Sequence, residues 1–302
     1  ALYWNFKSCK FLHYLPEDLV NYMVHIFQLN RNRNIDIVKQ AQDINSRLLE
    51  NNITPIFLKG TGNLIAELYD DIGERMVGDI DFLVSKRDFD VAIRVLNTEG
   101  YSKVHKAKPD TTIFDRHYPK LVKKGGIASV EVHYKMINDD SYFNYEFIQN
   151  SLKKTADGLT TLSYQHMTLL TCYNKQINDK GQWFKTIALR NAYDLYLLSK
   201  HCNISKVLNN LKTKNSAYLL NFLASSCVIF NHPESLSYIE TLKTEHYLKL
   251  QNLFINNPKK NKFNRKKWKI YFLIHSRFFK VYTSFFSRKH RVYLIERFLT
   301  SN

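Results

Sequence analysis

The chain is poor in the residues that mark disulfide-rich, fibrous and linker-like proteins. It has four cysteines in 302 residues, and none of them form a C-x-x-C pair, which argues against a disulfide framework and a zinc site. Nine glycines and six prolines exclude a collagen-like or linker-type composition. A hydrophobic fraction of 44% excludes disorder of the whole chain and predicts a buried core.

Long apolar runs are also missing. The longest apolar-rich segment, residues 218–230, has 13 residues and contains Asn221. A helix that spans a bilayer needs about 20 apolar residues, so we expect no transmembrane helix. The first residues lack the basic and then apolar order of a signal peptide. We therefore expect a cytoplasmic protein with reduced thiols.

Acidic residues are scarce towards the end of the chain. Of the formal net charge of +17, the thirteen Lys or Arg and one Glu after residue 257 contribute +12, so the first 257 residues carry only +5. A basic segment with interleaved aromatics suits a polyanion, such as RNA or tRNA bound through residues 259–297. The alternative is a helix surface whose charges are solvated. Peripheral membrane contact through residues 262–299 is the least favoured hypothesis.

Hydrophobic periodicity predicts a small α/β core between two helical segments. Apolar residues at helical spacing predict helices over residues 17–28 and 37–48. Short apolar runs predict buried strands over residues 54–58 and 79–84. After residue 145 the pattern is almost entirely helical. The predicted segments are N-terminal helices in 1–53, the core in 54–155 and a helical domain in 156–302 that ends in basic helices.

A β-hairpin is predicted within this core. Residues 117–123 and 127–135 both have strand-like patterns, and Lys124-Gly125-Gly126 lies between them. Glycines at such a position are typical of the tight turn that joins two antiparallel strands.

Three carboxylates are the most informative residues. Asp79 and Asp81 lie at positions i and i+2 of a predicted strand, so their side chains point to one face. Glu131 lies on a different predicted strand and can join them if the two strands are neighbours. Carboxylates held together repel one another unless a cation binds, which predicts a site for Mg²⁺ or Mn²⁺. The alternative is that Asp79 only begins the strand and Asp81 faces solvent.

Other residues near the predicted strands suit phosphate. Lys59, Gly60 and Thr61 lie between a strand and a helix, where glycine permits close approach of the backbone and Lys attracts an anion. Arg75 precedes the two aspartates and suits a phosphate or a carboxylate. His133 is placed to orient Glu131. Each has a structural alternative. Residues 59–61 could form only a turn, Arg75 could form a structural salt bridge, and His133 could simply be packed beside the strand.

Four segments together resemble a known family. They are F-L-K-G-T-G at 57–62, L-Y-D at 68–70, E-R-M-V-G-D-I-D-F-L-V at 74–84 and V-E-V-H-Y at 130–134. The set resembles the uncharacterised nucleotidyltransferase family of the DNA polymerase β-like superfamily. Most members of the wider superfamily have Gly-Ser at the turn where this chain has Lys-Gly-Thr.

The resemblance implies an α+β fold with a small mixed β-sheet core, flanking helices and a helical C-terminal half. It also implies metal-dependent transfer of a nucleoside monophosphate from an NTP such as ATP to an acceptor hydroxyl, with release of pyrophosphate. Asp79, Asp81 and Glu131 would be the catalytic and metal-binding residues, and Lys59, Gly60, Thr61 and Arg75 would bind the nucleotide. The acceptor is open: RNA or tRNA, a protein, or a small molecule.

A non-catalytic protein on the same scaffold is the alternative hypothesis. Such a protein would bind RNA or a protein partner without transferring a nucleotide. The three carboxylates Asp79, Asp81 and Glu131 are all present, which favours the enzyme.

Overall fold

A computed structural model describes residues 1–104, 116–137, 143–211, 213 and 215–299. The chain divides into two compact units. The first contains Ala1–Val104, His117–Met136 and Tyr145–Ser163, and the second contains the helices from Tyr164 onward. The division into three segments stays a prediction.

The first unit is built on a mixed β-sheet. Within the described residues the strands are β1 (Ile56–Phe57), β2 (Asp79–Leu83), β3 (Ser102–Lys103), β4 (Leu121–Val122), β5 (Ser129–His133), β6 (Lys153–Lys154) and β7 (Thr160–Thr161). Their order across the sheet is β3-β4-β5-β2-β1-β7-β6. The pairs β2–β5 and β1–β7 are parallel, and the other neighbours are antiparallel.

The two longest strands, β2 and β5, lie next to each other inside the sheet. Ile80 and Phe82 alternate along β2 with Asp79 and Asp81, so the apolar and acidic side chains point to opposite faces. Ile80 and Phe82 are fully buried, as are the aligned residues Val130 and Val132 of β5. Packing of these apolar side chains fixes the register of the strands, since a slip of one residue would place the acidic side chains in the apolar layer that Ile80 and Phe82 occupy.

Five α-helices belong to the described part of this unit. They are α1 (Leu2–Ser8), α2 (Glu17–Leu49), α3 (Lys59–Ile65), α4 (Phe89–Thr98) and α5 (Tyr145–Ile148). Helix α2 corrects the prediction of two helices over 17–28 and 37–48, because the intervening residues are helical too. There Asn34 Nδ2 lies 2.6 Å from both the Ile72 and the Arg75 carbonyl oxygens. The polar residues between the two apolar patterns therefore bind a neighbouring turn and do not end the helix.

The predicted β-hairpin is confirmed. Strand β4 pairs antiparallel with β5, with Leu121 opposite Val130, and His117 forms a further antiparallel bridge with His133. The Gly126 amide donates to the Lys123 carbonyl and closes the turn. The hairpin therefore places the strand with Glu131 in the middle of the sheet.

In the described part of the second unit, every regular element longer than three residues is a helix. Its α-helices are α6 (Tyr164–Tyr173), α7 (Gly181–Phe184), α8 (Leu189–Leu198), α9 (Ile204–Asn209), α10 (Ser216–Ile229), α11 (Leu242–Asn256), α12 (Pro258–Phe286) and α13 (Arg288–Leu299). A mixed sheet with flanking helices and a helical C-terminal part confirms the predicted α+β class. None of the helices described is long and apolar enough to cross a membrane.

Lys185, which follows α7, is a half-buried lysine in this unit. Its Nζ donates to the Gln182 carbonyl and lies 4.4 Å from the centre of the Tyr247 ring. Burial lowers the pKa of this ammonium group from 10.5 to about 8. Between these two pH values the unfolded chain holds more protons than the folded chain, so the free energy of unfolding rises with pH.

We expect the contribution of Lys185, whose charge is partly screened by solvent, to raise the free energy of unfolding by about 1 kcal/mol from pH 8 to pH 10. Urea unfolding at a series of pH values, compared between the parent chain and a Lys185→Met variant, measures it. The variant should lack this part of the pH dependence. If the free energy of unfolding rose equally with pH in the two proteins, Lys185 would be solvated as well in the folded chain as in the unfolded one.

Candidate active site

The parallel pairing of β2 and β5 brings the predicted acidic residues together. Asp81 is aligned with Glu131, and Leu83 is aligned with His133. Since side chains alternate along a strand, Asp79, Asp81, Glu131 and His133 all lie on one face of the sheet. Asp81, Glu131 and His133 are buried, and Asp79 is partly exposed at the start of β2. We call these four residues the acidic cluster.

His133 bridges two carboxylates of the cluster. Its Nε2 lies 2.8 Å from Asp81 Oδ1 and 3.6 Å from Glu131 Oε2. The other ring nitrogen, Nδ1, is buried and has no hydrogen-bond partner among the described residues. The proton therefore belongs on Nε2, which donates to Asp81. His133 is closer to Asp81 than to Glu131, the carboxylate that it was predicted to orient.

Two lysines neutralise much of the cluster's charge. Lys59 Nζ forms an ion pair with Asp81 Oδ1 and lies 3.8 Å from Glu131 Oε2. Lys120 Nζ lies 2.9 Å from Asp79 Oδ2 and 3.2 Å from Glu131 Oε1. Each ammonium group therefore lies between two carboxylates, the arrangement that a bound cation would also adopt. The three carboxylates and the two lysines together carry a formal charge of −1.

Lys120 was not among the residues predicted from the sequence. It immediately precedes Leu121, which pairs with Val130. Lys120 therefore lies opposite Glu131 and on the same face of the sheet. The register of the predicted hairpin was the signal that could have identified it.

These contacts keep the buried carboxylates ionised. Burial raises the pKa of Asp81, but the positive charge of Lys59 and the hydrogen bond from His133 outweigh it and lower that pKa overall. Burial and the charge of Asp81 also raise the pKa of Glu131, whereas the hydrogen bond from His133 and the charge of Lys59 lower it to a greater extent. Asp81 and Glu131 are therefore anionic at neutral pH and available to bind a cation.

The cluster fits a divalent cation by its donor chemistry. One ligand atom from each of Asp81, Glu131 and His133 lies within 4.8 Å of the other two. Carboxylate oxygens are the ligands that Mg²⁺ and Mn²⁺ prefer, and imidazole nitrogen is accepted more readily by transition metals. The predicted metal-binding set of Asp79, Asp81 and Glu131 stays a prediction, and His133 Nε2 donates to Asp81 within this group.

The turn predicted to bind phosphate is the start of helix α3. Lys59 adopts a left-handed backbone conformation with φ of 51°, which directs the chain from β1 into the helix. Thr61 Oγ1 donates to the Asp79 carbonyl at 2.8 Å, and Thr61 is buried. This hydroxyl therefore joins α3 to β2. The nucleotide-binding roles of Lys59, Gly60 and Thr61 stay predictions.

Arg75 makes a local hydrogen bond to the residue that follows it. Its Nη1 donates to the carbonyl oxygen of Met76 at 2.6 Å. Its nucleotide-binding role stays a prediction.

Gly62 is required for the close approach of α3 to β1. A Cβ atom at this position would lie 2.5 Å from the Phe57 carbonyl oxygen, which belongs to the backbone and cannot rotate away. We expect Gly62→Ala to lower the free energy of unfolding by about 3 kcal/mol, since the helix must move away from the strand. Urea unfolding of the purified variant measures this loss.

Gly78→Ala is the matched control, because no atom lies within 4 Å of a Cβ built there. It should change the free energy of unfolding by less than about 1 kcal/mol. Equal effects of the two substitutions would contradict the proposed steric role of Gly62.

Comparison with known proteins identifies a family and a similar solved structure. A family model described as "Uncharacterised nucleotidyltransferase" matches residues 1–228, which include the whole sheet and the acidic cluster. No curated protein matches the chain. A solution structure of the antibiotic-resistance factor ANT(2'')-Ia is similar at 13% sequence identity and a TM-score of 0.42, over 66% of this chain and 97% of that one.

Proposed function

Because this chain belongs to the family of uncharacterised nucleotidyltransferases, we propose that it transfers a nucleoside monophosphate from an NTP to an acceptor hydroxyl. The observation that carries the proposal is the convergence of Asp79, Asp81 and Glu131 on one face of two paired strands. In the reaction, the acceptor oxygen forms a bond to the α-phosphorus, the bond from the α-phosphorus to the leaving oxygen breaks, and pyrophosphate departs.

The acidic cluster would hold Mg²⁺ or Mn²⁺ through Asp79, Asp81 and Glu131. When bound, such cations polarise phosphate oxygens, lower the pKa of an acceptor hydroxyl and neutralise charge on the leaving group. His133 donates to Asp81 and fixes the direction in which that carboxylate points. The low pKa of Asp81 and Glu131 keeps these ligands ionised at neutral pH.

The protein's own groups also bind and position the substrates. Lys59 and Lys120 supply two positive charges beside the cluster, which attract the triphosphate of an NTP. Glu131 is the candidate for accepting the proton of the acceptor hydroxyl. Positioning and electrostatics account for most of the catalysis in phosphoryl transfer, so no covalent intermediate with the protein is needed.

Incubation with each of the four α-³²P-labelled NTPs tests the proposal. The chain is supplied with Mg²⁺ or Mn²⁺ and with separated RNA, protein and small-molecule fractions of a cell lysate. We expect label to enter one fraction, with release of pyrophosphate and complete inhibition by EDTA. If every NTP is left intact with all three fractions and both metals, the proposal is wrong.

A non-catalytic binding protein is the second candidate, and one observation favours it. The two lysines already pair with all three carboxylates, so the cluster is stable without a metal. Thermal unfolding separates the two candidates. An enzyme should gain stability from an NTP only when Mg²⁺ is present, whereas a partner-binding protein should show no such joint effect.

A further inference from the structure

The outer face of helix α12 carries a stripe of exposed apolar residues. Its members recur at helical spacing and are each between 47% and 72% exposed: Ile270, Ile274, Phe278, Val281 and Phe285. At 100° per residue they fall within one narrow sector of the helix. We call these five residues the apolar stripe. Exposed apolar residues that form one continuous surface mark an interaction site.

The rest of the helical unit leaves the apolar stripe uncovered. Trp268 and Phe272 lie on the other side of α12, where the Phe272 ring is 5.2 Å from that of Trp183 and 6.2 Å from that of Phe184. Helix α13 packs on the end of α12 through Tyr293, which is buried beside Lys280. The contacts of α7 and α13 thus leave the apolar stripe facing solvent, together with other apolar side chains of α12 such as Phe279 and Phe286.

The charged residues of α12 are all positive, and most of them precede the apolar stripe. Pro258–Phe286 contains seven Lys, two Arg and no Asp or Glu. Lys266, Lys269 and Arg277 are exposed and lie along one side of the stripe. The helix thus combines an apolar stripe with charged residues that are all cations.

We propose that α12 binds the surface of an anionic lipid bilayer. The apolar stripe would enter the boundary between headgroups and acyl chains, and the lysines and arginines beside it would contact lipid phosphates. An amphipathic helix with a basic polar face and an apolar face rich in Phe, Ile and Val lies in the membrane interface. The lysines and arginines next to it add electrostatic attraction to negatively charged headgroups.

Two other partners suit this surface less well. A second copy of the chain would bring the same cations close to one another, and like charges would repel. RNA would contact the lysines and could stack on aromatic rings, but Ile270, Ile274 and Val281 offer no ring for a base. The lipid bilayer is the partner that uses both the charge and the aliphatic side chains.

Sedimentation of the full chain with vesicles tests the proposal. We expect binding to vesicles of phosphatidylcholine with 30% phosphatidylglycerol that is at least about tenfold stronger than binding to phosphatidylcholine alone. Binding should weaken as salt is raised but persist in part, since the apolar contribution is not screened. Failure to bind the anionic vesicles at low salt would overturn the proposal.

Replacing three residues of the stripe tests the apolar contribution. The combined variant Ile274→Ser, Phe278→Ser and Phe285→Ser keeps every charge, and these side chains are among the most exposed of the helix. It should fold normally and bind anionic vesicles about tenfold or more weakly. If this variant does not fold, the single change Phe278→Ser replaces it, with a smaller loss expected. Unchanged binding by a folded stripe variant would overturn the proposal.

Equally exposed apolar residues of the first unit provide the matched control. The combined variant Tyr14→Ser, Tyr22→Ser and Leu29→Ser should bind the vesicles as the parent chain does. A second variant, Lys266→Gln, Lys269→Gln and Arg277→Gln, should lose much of the salt dependence.

Two further measurements identify the alternative partners. If the stripe variant loses a dimer by size-exclusion chromatography while vesicle binding is unchanged, the surface binds a second copy. If the charge variant loses binding to labelled RNA and neither variant affects vesicle binding, it is a nucleic-acid surface. Either result would contradict the lipid proposal.

Discussion

Asp81→Asn should lower the rate of nucleotide transfer by about a thousandfold and leave the chain folded. Asp81 is the most buried carboxylate of the cluster, and its Oδ1 contacts both Lys59 and His133. Asparagine keeps the shape of the side chain but removes the negative charge that would bind a cation. Initial rates of label transfer from the α-³²P-labelled NTP measure the loss, and circular dichroism checks the fold.

Asp90→Asn is the matched control for this experiment. Asp90 is an exposed carboxylate in the first turn of α4, in the same unit of the chain. The control should transfer nucleotide at the parental rate. If a folded Asp81→Asn variant also kept the parental rate, the acidic cluster would not be the catalytic site.

Lys59→Met should lower the free energy of unfolding by about 3 kcal/mol when divalent cations are removed by EDTA. The reason is that Asp81 has a side chain only 4% exposed, and without Lys59 its charge would remain buried with His133 as its main partner. Added Mg²⁺ should restore part of this stability, because a divalent cation would bind the same carboxylate oxygens as the lysine. Urea unfolding in EDTA and at increasing Mg²⁺ concentrations measures both effects.

Comparison with Lys120→Met tests whether the loss of stability in Lys59→Met is due to the burial of its ion pair. Both lysines pair with two carboxylates, but the Lys120 side chain is 48% exposed and that of Lys59 is 20% exposed. An exposed ion pair contributes little, so Lys120→Met should cost less than about 1 kcal/mol. Equal losses for the two variants, or no effect of Mg²⁺ on the Lys59→Met chain, would contradict competition between lysine and metal.

Much of the site could be predicted because it depends on local rules. Two aspartates at i and i+2 of a strand must share a face, and the glycine-containing turn before Glu131 indicated a hairpin. The parallel pairing of Asp81 with Glu131 could not be derived in this way. It joins residues that are far apart in sequence, and only the packing of the whole sheet determines which strands become neighbours.

The differences from prediction come from interactions between distant residues. Helix α2 is continuous because Asn34 binds carbonyls of the turn that follows α3, and periodicity within the helix carries no signal of this contact. The ion pairs of Lys59 and Lys120 depend on the same sheet register. The position of the apolar stripe depends on which side of α12 is covered by α7 and α13. Charge and composition do not specify that side.

The most direct test of the metal site is anomalous X-ray diffraction from crystals of the chain grown with Mn²⁺ and a non-hydrolysable NTP analogue. We predict anomalous density bounded by the carboxylate oxygens of Asp79, Asp81 and Glu131, with the triphosphate next to it and Lys59 moved away from Asp81. Bound analogue elsewhere on the chain, with Lys59 still paired to Asp81 and no manganese between the carboxylates, would contradict the account.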